Sequence, residues 1–399
     1  MNIIQTEKFS DTYILIRTMM PLCKEDVTKM NLLVYMMRAK TKKYDTKQKL
    51  SMALNATYGM HVSYGLSGYG RQVAFDVRFK YIREDFIQKE GYLDNVIDIM
   101  DQVLYEPVLD ESTLKEAKYL LKSKLMSQKD DPDSIAIKNA LIHAAKDHEI
   151  GIQIQGYLED LDTITLDDMK ALHAQFLECK KTVFGCGHVC HEMEDFLDRI
   201  SQAETIENVY SLISKQAPQY VLERKDISQA SLVQVYATST SWSDDLYYAL
   251  LVMNAMLGQC PMNLLFEEIR EKNSYCYSIT SSLIRFDGAL VIMAGTNGEN
   301  LDSVQALIQE QIVRLQKGDV EDSLMAIAKS DLVDMIHSQQ DQANSMIEQK
   351  FLDMLLNRDE QSEDRIQKIL DVTMEDVQNV AARLSLVSVS IVEEMHDEI

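Results

Sequence analysis

The apolar residues of this chain are spaced in two ways, and both halves of the chain use the two spacings in the same order. In the first half, short apolar runs typical of β-strands are YILIRTM, HVSYGLSG, RQVAFDVRF and KTVFGC. Helical spacing runs through NLLVYMMRAK and KQKLSMALNATYG, and three or four more helices are predicted between residues 85 and 146. Strands and helices mixed in this way predict an antiparallel sheet with helices packed on one face.

The second half repeats this order. Its predicted strands are LVQVYATS, YCYSITSSLI, GALVIMAGT and SLVSVSIV, and its predicted helices are SDDLYYALLVMNAMLG, MNLLFEEIRE and those of residues 301–356. Two landmarks recur at one offset, because Asp94 and Asp302, and likewise Thr165 and Thr373, are 208 positions apart. Both threonines begin a Thr-x-x-Asp capping box that precedes the last strand of their half.

We therefore predict an α+β protein of two homologous domains in tandem, each an antiparallel-rich sheet with helices packed on one face. The predicted segments are an N-terminal domain at 1–203, a linker at 204–225 and a C-terminal domain at 226–399. The linker is assigned because its sequence is polar, has no clear periodicity and contains Pro218. The alternative is a pair of unrelated α+β domains whose shared landmarks are coincidental.

Composition and charge narrow the choice of partners. A chain of 399 residues with 46% hydrophobic residues can bury a sizeable core. Its formal charge of −23 argues against nucleic acid and against anionic membrane surfaces, because both require clustered Lys and Arg. We see no secretory signal at the N-terminus and no apolar stretch of the roughly 20 residues that a membrane span needs. The six scattered cysteines are expected to be reduced thiols, which predicts a cytoplasmic location.

The most specific motif is PMNLLFEEIREKNSYCYSI, at residues 261–279. It resembles a signature of the insulinase/pitrilysin metallopeptidases, in the branch that includes the mitochondrial processing peptidase. In that family a helix ending Leu-Phe-x-x-Ile-Arg-Glu is followed by a turn, usually with Gly-Leu, and by a Tyr-Ser strand. The matching positions here are Leu265-Phe266, Arg270-Glu271 and Tyr277-Ser278, and Ser274-Tyr275 stands in the turn. Because these proteins consist of two homologous α+β domains, the resemblance extends in architecture over the whole chain.

The resemblance also implies where a catalytic zinc site should lie. The family carries His-x-x-Glu-His on the first helix of its N-terminal domain, where the histidines bind zinc and the glutamate activates the zinc-bound water. Alignment on Lys40-Thr41 places Asn31, Val34 and Tyr35 at these positions. No shift of the alignment restores the motif, because residues 24 to 45 contain no histidine. We therefore expect a degenerate motif, no metal in this chain and no zinc peptidase activity from this chain alone.

Two residues of the C-terminal motif are the candidate substrate-binding groups. The resemblance implies that Arg270 and Tyr277 hold backbone carbonyls of a peptide substrate and stabilise the developing oxyanion. Their spacing of seven lets a helix end and the following strand present both groups at one site. The alternative is structural, since a cation is favourable at a helix C-terminus and an aromatic residue is common in a strand.

A second group of residues has metal-ligand chemistry but a different pattern. Residues 186–192, CGHVCHE, hold two cysteines, two histidines and a glutamate, so a metal-binding protein is one hypothesis. However, His188-x-x-His191-Glu192 has the wrong order for the inverted zinc motif. We prefer to interpret the stretch as the end of a strand that contains Cys186, followed by a helix that begins with His191-Glu192.

Some members of the family work as pairs, in which one subunit carries the zinc motif and the other contributes the Arg/Tyr pair. The resemblance thus implies a catalytically incomplete peptidase homologue that forms a heterodimer with a zinc-bearing sister subunit and contacts a peptide substrate. In this reading the zinc cofactor lies in the partner. A non-catalytic structural or peptide-binding scaffold is the alternative, and it predicts that Arg270 and Tyr277 are dispensable. A homodimer is a further alternative, and it would have no zinc site.

Overall fold

The computed structural model describes residues 1–87, 89–202, 209–358 and 360–395, which form two compact units. The first unit is built from Met1–Met126, Gln153–Val209 and Ser338–Arg358. The second unit is built from the described residues of Ser127–Ile152, Tyr210–His337 and Asp359–Ile399. Neither unit is therefore one continuous segment, whereas the predicted domains are continuous.

The first unit contains a five-stranded sheet in the order β1-β5-β2-β4-β3. Its strands are β1 (Asn2–Gln5), β2 (Asp11–Pro21), β3 (His61–Tyr69), β4 (Gln72–Ile82) and β5 (Thr182–Gly187). Only β1 and β5 pair in parallel, and the other neighbours are antiparallel. The helices of the first half are α1 (Lys24–Met37), α2 (Lys47–Ala56), α3 (Tyr92–Tyr105), α4 (Glu111–Asp130), α5 (Pro132–Ala144), α6 (Leu166–Glu178) and α7 (His191–Ile200).

The second unit contains a sheet with the same topology, in the order β6-β10-β7-β9-β8. Its strands are β6 (Gln219–Lys225), β7 (Ala230–Ala237), β8 (Cys276–Ile284), β9 (Ala289–Thr296) and β10 (Ser385–Glu394). Here too only the first pair of neighbours, β6 and β10, is parallel.

The helices of the second half follow the same chain order as those of the first. They are α8 (Tyr247–Asn254), α9 (Leu301–Lys317), α10 (Asp322–Gln339), α11 (Ala343–Leu355), α12 (Ser362–Asp371) and α13 (Met374–Arg383). Two π-helical segments, Ala255–Gln259 and Phe266–Lys272, lie between α8 and β8. Among the residues described, no helix is long and apolar enough to cross a bilayer.

Both predicted capping boxes form. Thr165 accepts a hydrogen bond from the Asp168 backbone at the start of α6, and Thr373 does the same for Asp376 at the start of α13. In each half a lysine of the preceding long helix secures the chain just before the box. Lys118 Nζ donates to the carbonyl of Ile164 at 2.6 Å, and Lys329 Nζ donates to those of Leu370 and Val372 at 2.7 and 2.6 Å.

Helix α11 follows α10 in the second half of the chain, yet it packs in the first unit against β1, β2 and β5. Its Phe351 is fully buried, with ring centroids 5.2 Å from Tyr69 and 6.0 Å from Phe184. Full burial of such a side chain contributes about 2–3 kcal/mol.

A buried ion pair also secures α11. Arg17 of β2 donates through Nε and Nη2 to the two carboxylate oxygens of Asp76 on β4, at 2.7 and 2.8 Å. The same guanidinium donates to Glu348 of α11, with a closest distance of 2.9 Å, and lies 4.0 Å from the centre of the Phe351 ring. Helix α11 is thus held to the first sheet by charge as well as by apolar packing.

Helix α5 makes the reciprocal exchange, because it lies in the first half of the chain but packs in the second unit against β6, β7, β9 and β10. Ala136, Ala140 and Ala144 recur every four residues, so their small side chains share one helical face and all are fully buried. They join the apolar cluster that contains Val233 and Val235 of β7. All eight residues of β7 are buried, because the other side chains of this strand face the main helical layer.

The predicted α+β class is confirmed, with two sheets of matching topology. Besides the discontinuous units, two features differ from the sequence-based description. The last part of the predicted linker, Gln219–Lys225, is the edge strand β6. In addition, α5 covers the face of the second sheet opposite its other helices, where the pattern placed helices on one face only.

Candidate functional site

The predicted position of a zinc motif lies on α1. Asn31 and Tyr35 are four residues apart and therefore share one face of the helix. Asn31 is buried, and its Nδ2 donates to the carbonyl oxygens of Val27 at 2.8 Å and Ile154 at 2.7 Å. The amide thus connects α1 to Ile154 in the segment Gln153–Val209 of the first unit, so this position has a structural role.

The other two positions offer no better metal chemistry. Val34 is aliphatic, and the Tyr35 ring lies under the guanidinium of Arg38, with 4.7 Å between its carbon and the ring centre. Within the described part of the chain, no group of three or more His, Cys, Asp or Glu side chains is arranged to hold a metal ion. The residues of α1 therefore do not fit a zinc ion.

Arg270 lies in the second unit, on the π-helical segment Phe266–Lys272. Ile269 of this segment is buried and fixes it on the core, whereas the Arg270 side chain remains 45% exposed. The guanidinium carbon lies 4.8 Å from the centre of the Phe266 ring, and Nε lies 3.9 Å from the Glu271 carboxylate, beyond hydrogen-bond distance. Among the described residues the guanidinium makes no hydrogen bond, so its donors are available to a ligand.

Hydrogen bonds of Glu268 hold the segment Phe266–Lys272 in place. Glu268 accepts hydrogen bonds from Lys272 at 2.9 Å and from Arg314 of α9 at 3.1 Å. The hydrogen bond from Lys272 is the main cause that lowers the pKa of Glu268, and Arg314 adds to it against the effect of desolvation. The segment that carries Arg270 is thus anchored to α9 by a carboxylate that stays charged.

The turn after Arg270 contains a residue in the left-handed conformation. Ser274 has φ of 56°, and its N–H donates to the Arg270 carbonyl at 3.0 Å. The next N–H, of Tyr275, donates to the Ile269 carbonyl at 3.0 Å. Glycine is favoured at such a helix terminus because it has no Cβ. The turn in which the family usually has Gly-Leu therefore contains a serine in a conformation that suits glycine.

Tyr277 follows at the start of β8, where the pairing with β9 shifts register between Cys276 and Ser278. This bulge leaves Tyr277 without a direct partner in the ladder, and the residue is 57% exposed. Its hydroxyl donates to Asn297 Oδ1 at 2.6 Å, and Asn297 directly follows β9. The bulge and this hydrogen bond together hold the phenol at the surface.

Arg270 and Tyr277 lie at the same corner of the second unit. Cys276, the residue before Tyr277, is buried, and burial raises the pKa of its thiol to about 11. The positive charge of Arg270 opposes this shift, so the guanidinium lies close enough to act on the start of β8. Arg270 thus precedes the turn and Tyr277 follows it, and each presents a group that can donate to peptide carbonyl oxygens. Sequence reasoning identified this pair but missed Asn297 and the Glu268–Arg314 anchor, because neither has a motif of its own.

The stretch CGHVCHE does not form a site. Cys186 is buried in β5, and its Sγ lies 4.0 Å from the Met346 sulfur of α11. His188 lies between the carboxylates of Glu7 and Glu84, at 3.5 and 3.3 Å, whereas His191 begins α7 and has 87% of its side chain exposed. The expected strand end and helix start are confirmed, and no three of the described side chains with metal-ligand chemistry are arranged here to hold an ion.

Comparison with known proteins supports the resemblance. The family model "Peptidase M16 inactive domain" matches residues 163–332, which include Arg270 and Tyr277. The chain is 24% identical over 398 residues to the "Probable inactive metalloprotease YmfF" of Bacillus subtilis (strain 168), covering 96% of this chain and 93% of that protein. It is 22% identical over 304 residues to the "Uncharacterized zinc protease YmxG" of the same organism, covering 74% of this chain and 73% of that one.

The fold has also been observed in a solved structure. A conserved protein from Enterococcus faecalis V583 superposes with a TM-score of 0.92 at 24% identity, covering 100% of this chain and 96% of the other. This likeness concerns the fold alone. The sequence matches confirm the predicted resemblance to a non-catalytic member of the insulinase/pitrilysin-type peptidases.

Proposed function

We propose that this inactive M16-type protease homologue pairs with a zinc-bearing sister subunit and contributes the peptide-binding groups Arg270 and Tyr277 to their joint hydrolysis of peptides. The observation that carries the proposal is a contrast between the two units. Helix α1 uses the position of a zinc ligand for an internal hydrogen bond, whereas Arg270 and Tyr277 both remain exposed in the second unit.

The proposed roles follow from the chemistry of the two side chains. The guanidinium of Arg270 presents parallel N–H donors, which can hold two backbone carbonyl oxygens of an extended peptide. The phenol of Tyr277 can donate to a carbonyl oxygen whose negative charge grows as water attacks, so its contribution increases in the transition state. When bound in the sister subunit, zinc would supply the activated water.

The remaining features of the proposal concern origin and location. The matching sheet topology and the paired capping boxes favour a tandem duplication of one α+β domain. The proposed location is cytoplasmic, in keeping with a sequence of six cysteines that contains no expected disulfide framework.

The test is an activity assay on the purified chain, alone and mixed with a His-x-x-Glu-His protein encoded in the same genome. A quenched-fluorescence peptide should be cleaved only by the mixture, and Arg270→Ala and Tyr277→Phe should each lower kcat/KM by about 10- to 100-fold. Matched controls are Arg285→Ala and Tyr220→Phe, which change exposed residues in the same unit. Chelator-sensitive cleavage by the chain alone would contradict the proposal. So would a mixture whose activity is unchanged when either site variant replaces the parent chain.

The second candidate is a peptide-binding or structural scaffold with no catalytic partner. It is favoured by the match to a family model described as an inactive domain. This candidate predicts that no mixture gains peptidase activity. If the scaffold binds peptide at the same corner, Arg270→Ala should weaken the binding of a fluorescein-labelled unstructured peptide of Gly, Ser and Lys, measured by anisotropy.

A further inference from the structure

The hydrogen bond of Tyr277 has a direction that bears on its proposed role. The hydroxyl donates its one proton to Asn297 Oδ1, at 2.6 Å. A phenol has a single proton to donate, so while this bond exists Tyr277 offers a ligand only its oxygen lone pairs. A peptide carbonyl oxygen needs a donor, and in this arrangement it would find none on Tyr277.

A carboxamide can reverse this direction. The two ends of the Asn297 side chain have nearly the same shape, but one is an acceptor and the other a donor. If the Asn297 carboxamide rotates by about 180°, Nδ2 donates to the phenol oxygen and the phenol proton points outward. No movement of Tyr277 is required, because the distance between the two side chains stays within hydrogen-bond range.

The surroundings of Asn297 leave its side-chain amide free to rotate while they hold its backbone in place. Asn297 is half-buried, and in the described residues its side chain has Tyr277 as its one hydrogen-bond partner. On one side, the Thr296 hydroxyl donates to the Tyr275 carbonyl and fixes the end of β9 beside the start of β8. On the other side, the N–H of Asn300 donates to the Asn297 carbonyl at 3.0 Å.

We infer that Asn297 is a positioning residue for Tyr277, which holds the phenol over the bulge and sets by the orientation of its amide whether Tyr277 accepts from or donates to a bound peptide. This inference rests on the proposed function for its ligand, because the peptide is the group that Tyr277 would contact. The placement of the phenol by Asn297 does not depend on any ligand.

Three variants of the full chain separate these claims. Asn297→Ala removes the partner of the phenol. Asn297→Asp supplies a carboxylate that only accepts, so the phenol proton stays directed toward residue 297. Asn300→Ala is the matched control, since this residue precedes α9 in the same loop and its side chain makes no capping hydrogen bond.

The first measurement needs no ligand. The chain is labelled with 3-fluorotyrosine, and the ¹⁹F resonance of Tyr277 is assigned by its loss in Tyr277→Phe. We expect Asn297→Ala to move this resonance toward the position of exposed tyrosines such as Tyr119 and Tyr220, and Asn300→Ala to leave it in place. A Tyr277 resonance that is the same in the parent and in Asn297→Ala would overturn the inference.

The second measurement is the affinity for the labelled Gly/Ser/Lys peptide. We expect Asn297→Asp to weaken binding about tenfold, as Tyr277→Phe does, and to add nothing when combined with Tyr277→Phe. Equal affinity of Asn297→Asp and the parent, with Tyr277→Phe impaired, would overturn the role of Asn297 and leave the proposed function standing. If Tyr277→Phe binds like the parent, the proposed function fails, and the fluorine resonance alone then decides whether Asn297 places the phenol.

Discussion

Asp287 lies in the turn between β8 and β9, and the structure predicts that its carboxyl makes the protein less stable at neutral pH than in mild acid. The residue is only 6% exposed, and its Oδ1 makes no hydrogen bond within the described residues. His148 Nδ1 lies 4.0 Å from Oδ1, but this nitrogen accepts the Ile150 N–H at 3.1 Å and so has no proton to share. Burial, and next the charge of Glu149, raise the pKa of Asp287 to about 7.

The sign of the effect follows from the two pKa values. In the unfolded chain the carboxyl releases its proton near its ordinary pKa of 3.8, whereas in the folded chain it holds the proton until about pH 7. Between these values the folded state binds more protons, so the free energy of unfolding falls as the pH rises. Each pKa unit corresponds to about 1.4 kcal/mol, which gives a loss of about 4 kcal/mol across this range.

The variant Asp287→Asn removes the charge and keeps the shape. We expect it to unfold with about 2–4 kcal/mol more free energy than the parent at pH 8 and with nearly the same free energy at pH 4. The control Asp245→Asn removes a charge from an exposed position of the same unit and should leave the pH dependence unchanged.

The chain contains a convenient probe for this unit. Trp242 is its one tryptophan, and the Trp242 ring centroid lies 5.9 Å from that of Phe286, the neighbour of Asp287. Urea unfolding followed by tryptophan fluorescence therefore reports on the unit that contains the carboxyl. An Asp287→Asn variant that is less stable than the parent at pH 8, or that retains the parent's slope between pH 4 and pH 7, would refute the reasoning.

Three further substitutions test other parts of the structure. Ser274→Gly removes the strain of a serine in the left-handed conformation and should raise the free energy of unfolding, measured in urea, by about 0.5–1 kcal/mol. The control Ser282→Gly in β8 should lower it. Arg17→Met leaves Asp76 buried without its main partner and should lower the free energy of unfolding, followed by circular dichroism, by about 3–5 kcal/mol. Adding Asp76→Asn should recover part of this loss. A single variant as stable as the parent would contradict the assigned ion pair. Asn31→Ala should lower the free energy of unfolding by about 1–3 kcal/mol, because the carbonyls of Val27 and Ile154 lose the side-chain donor. It should leave zinc content unchanged by metal analysis.

Much of the fold could be predicted because the apolar spacing is local information. The alternating strands, most of the helices between them and the two capping boxes are properties of short windows and form as predicted. The predicted helix MNLLFEEIRE instead contains the π-helical segment Phe266–Lys272. The edge strands β1 and β6 were missed, because each is stabilised by parallel pairing with the last strand of its half, far away in the sequence. Spacing also predicted helices in the regions of α5 and α11 but could not show which sheet each helix would cover.

The same distinction applies to the candidate site. Arg270 and Tyr277 could be found because they belong to a contiguous motif that resembles a family signature. The shifted hydrogen bonds of the π-helical segment under Arg270, the bulge at Tyr277 and the partner Asn297 depend on backbone geometry, and amino-acid spacing does not encode them directly.

The exchange of α5 and α11 has a consequence for how the chain emerges from a ribosome. The first sheet has all of its strands once residue 187 has been made, but the helix that carries Phe351 is synthesised more than 150 residues later. Until then the nascent chain exposes the surface that buries Phe351, and the Arg17–Asp76 pair lacks its third member. Completion of the first unit is therefore a late, long-range event, and apolar surface that is exposed before it favours aggregation.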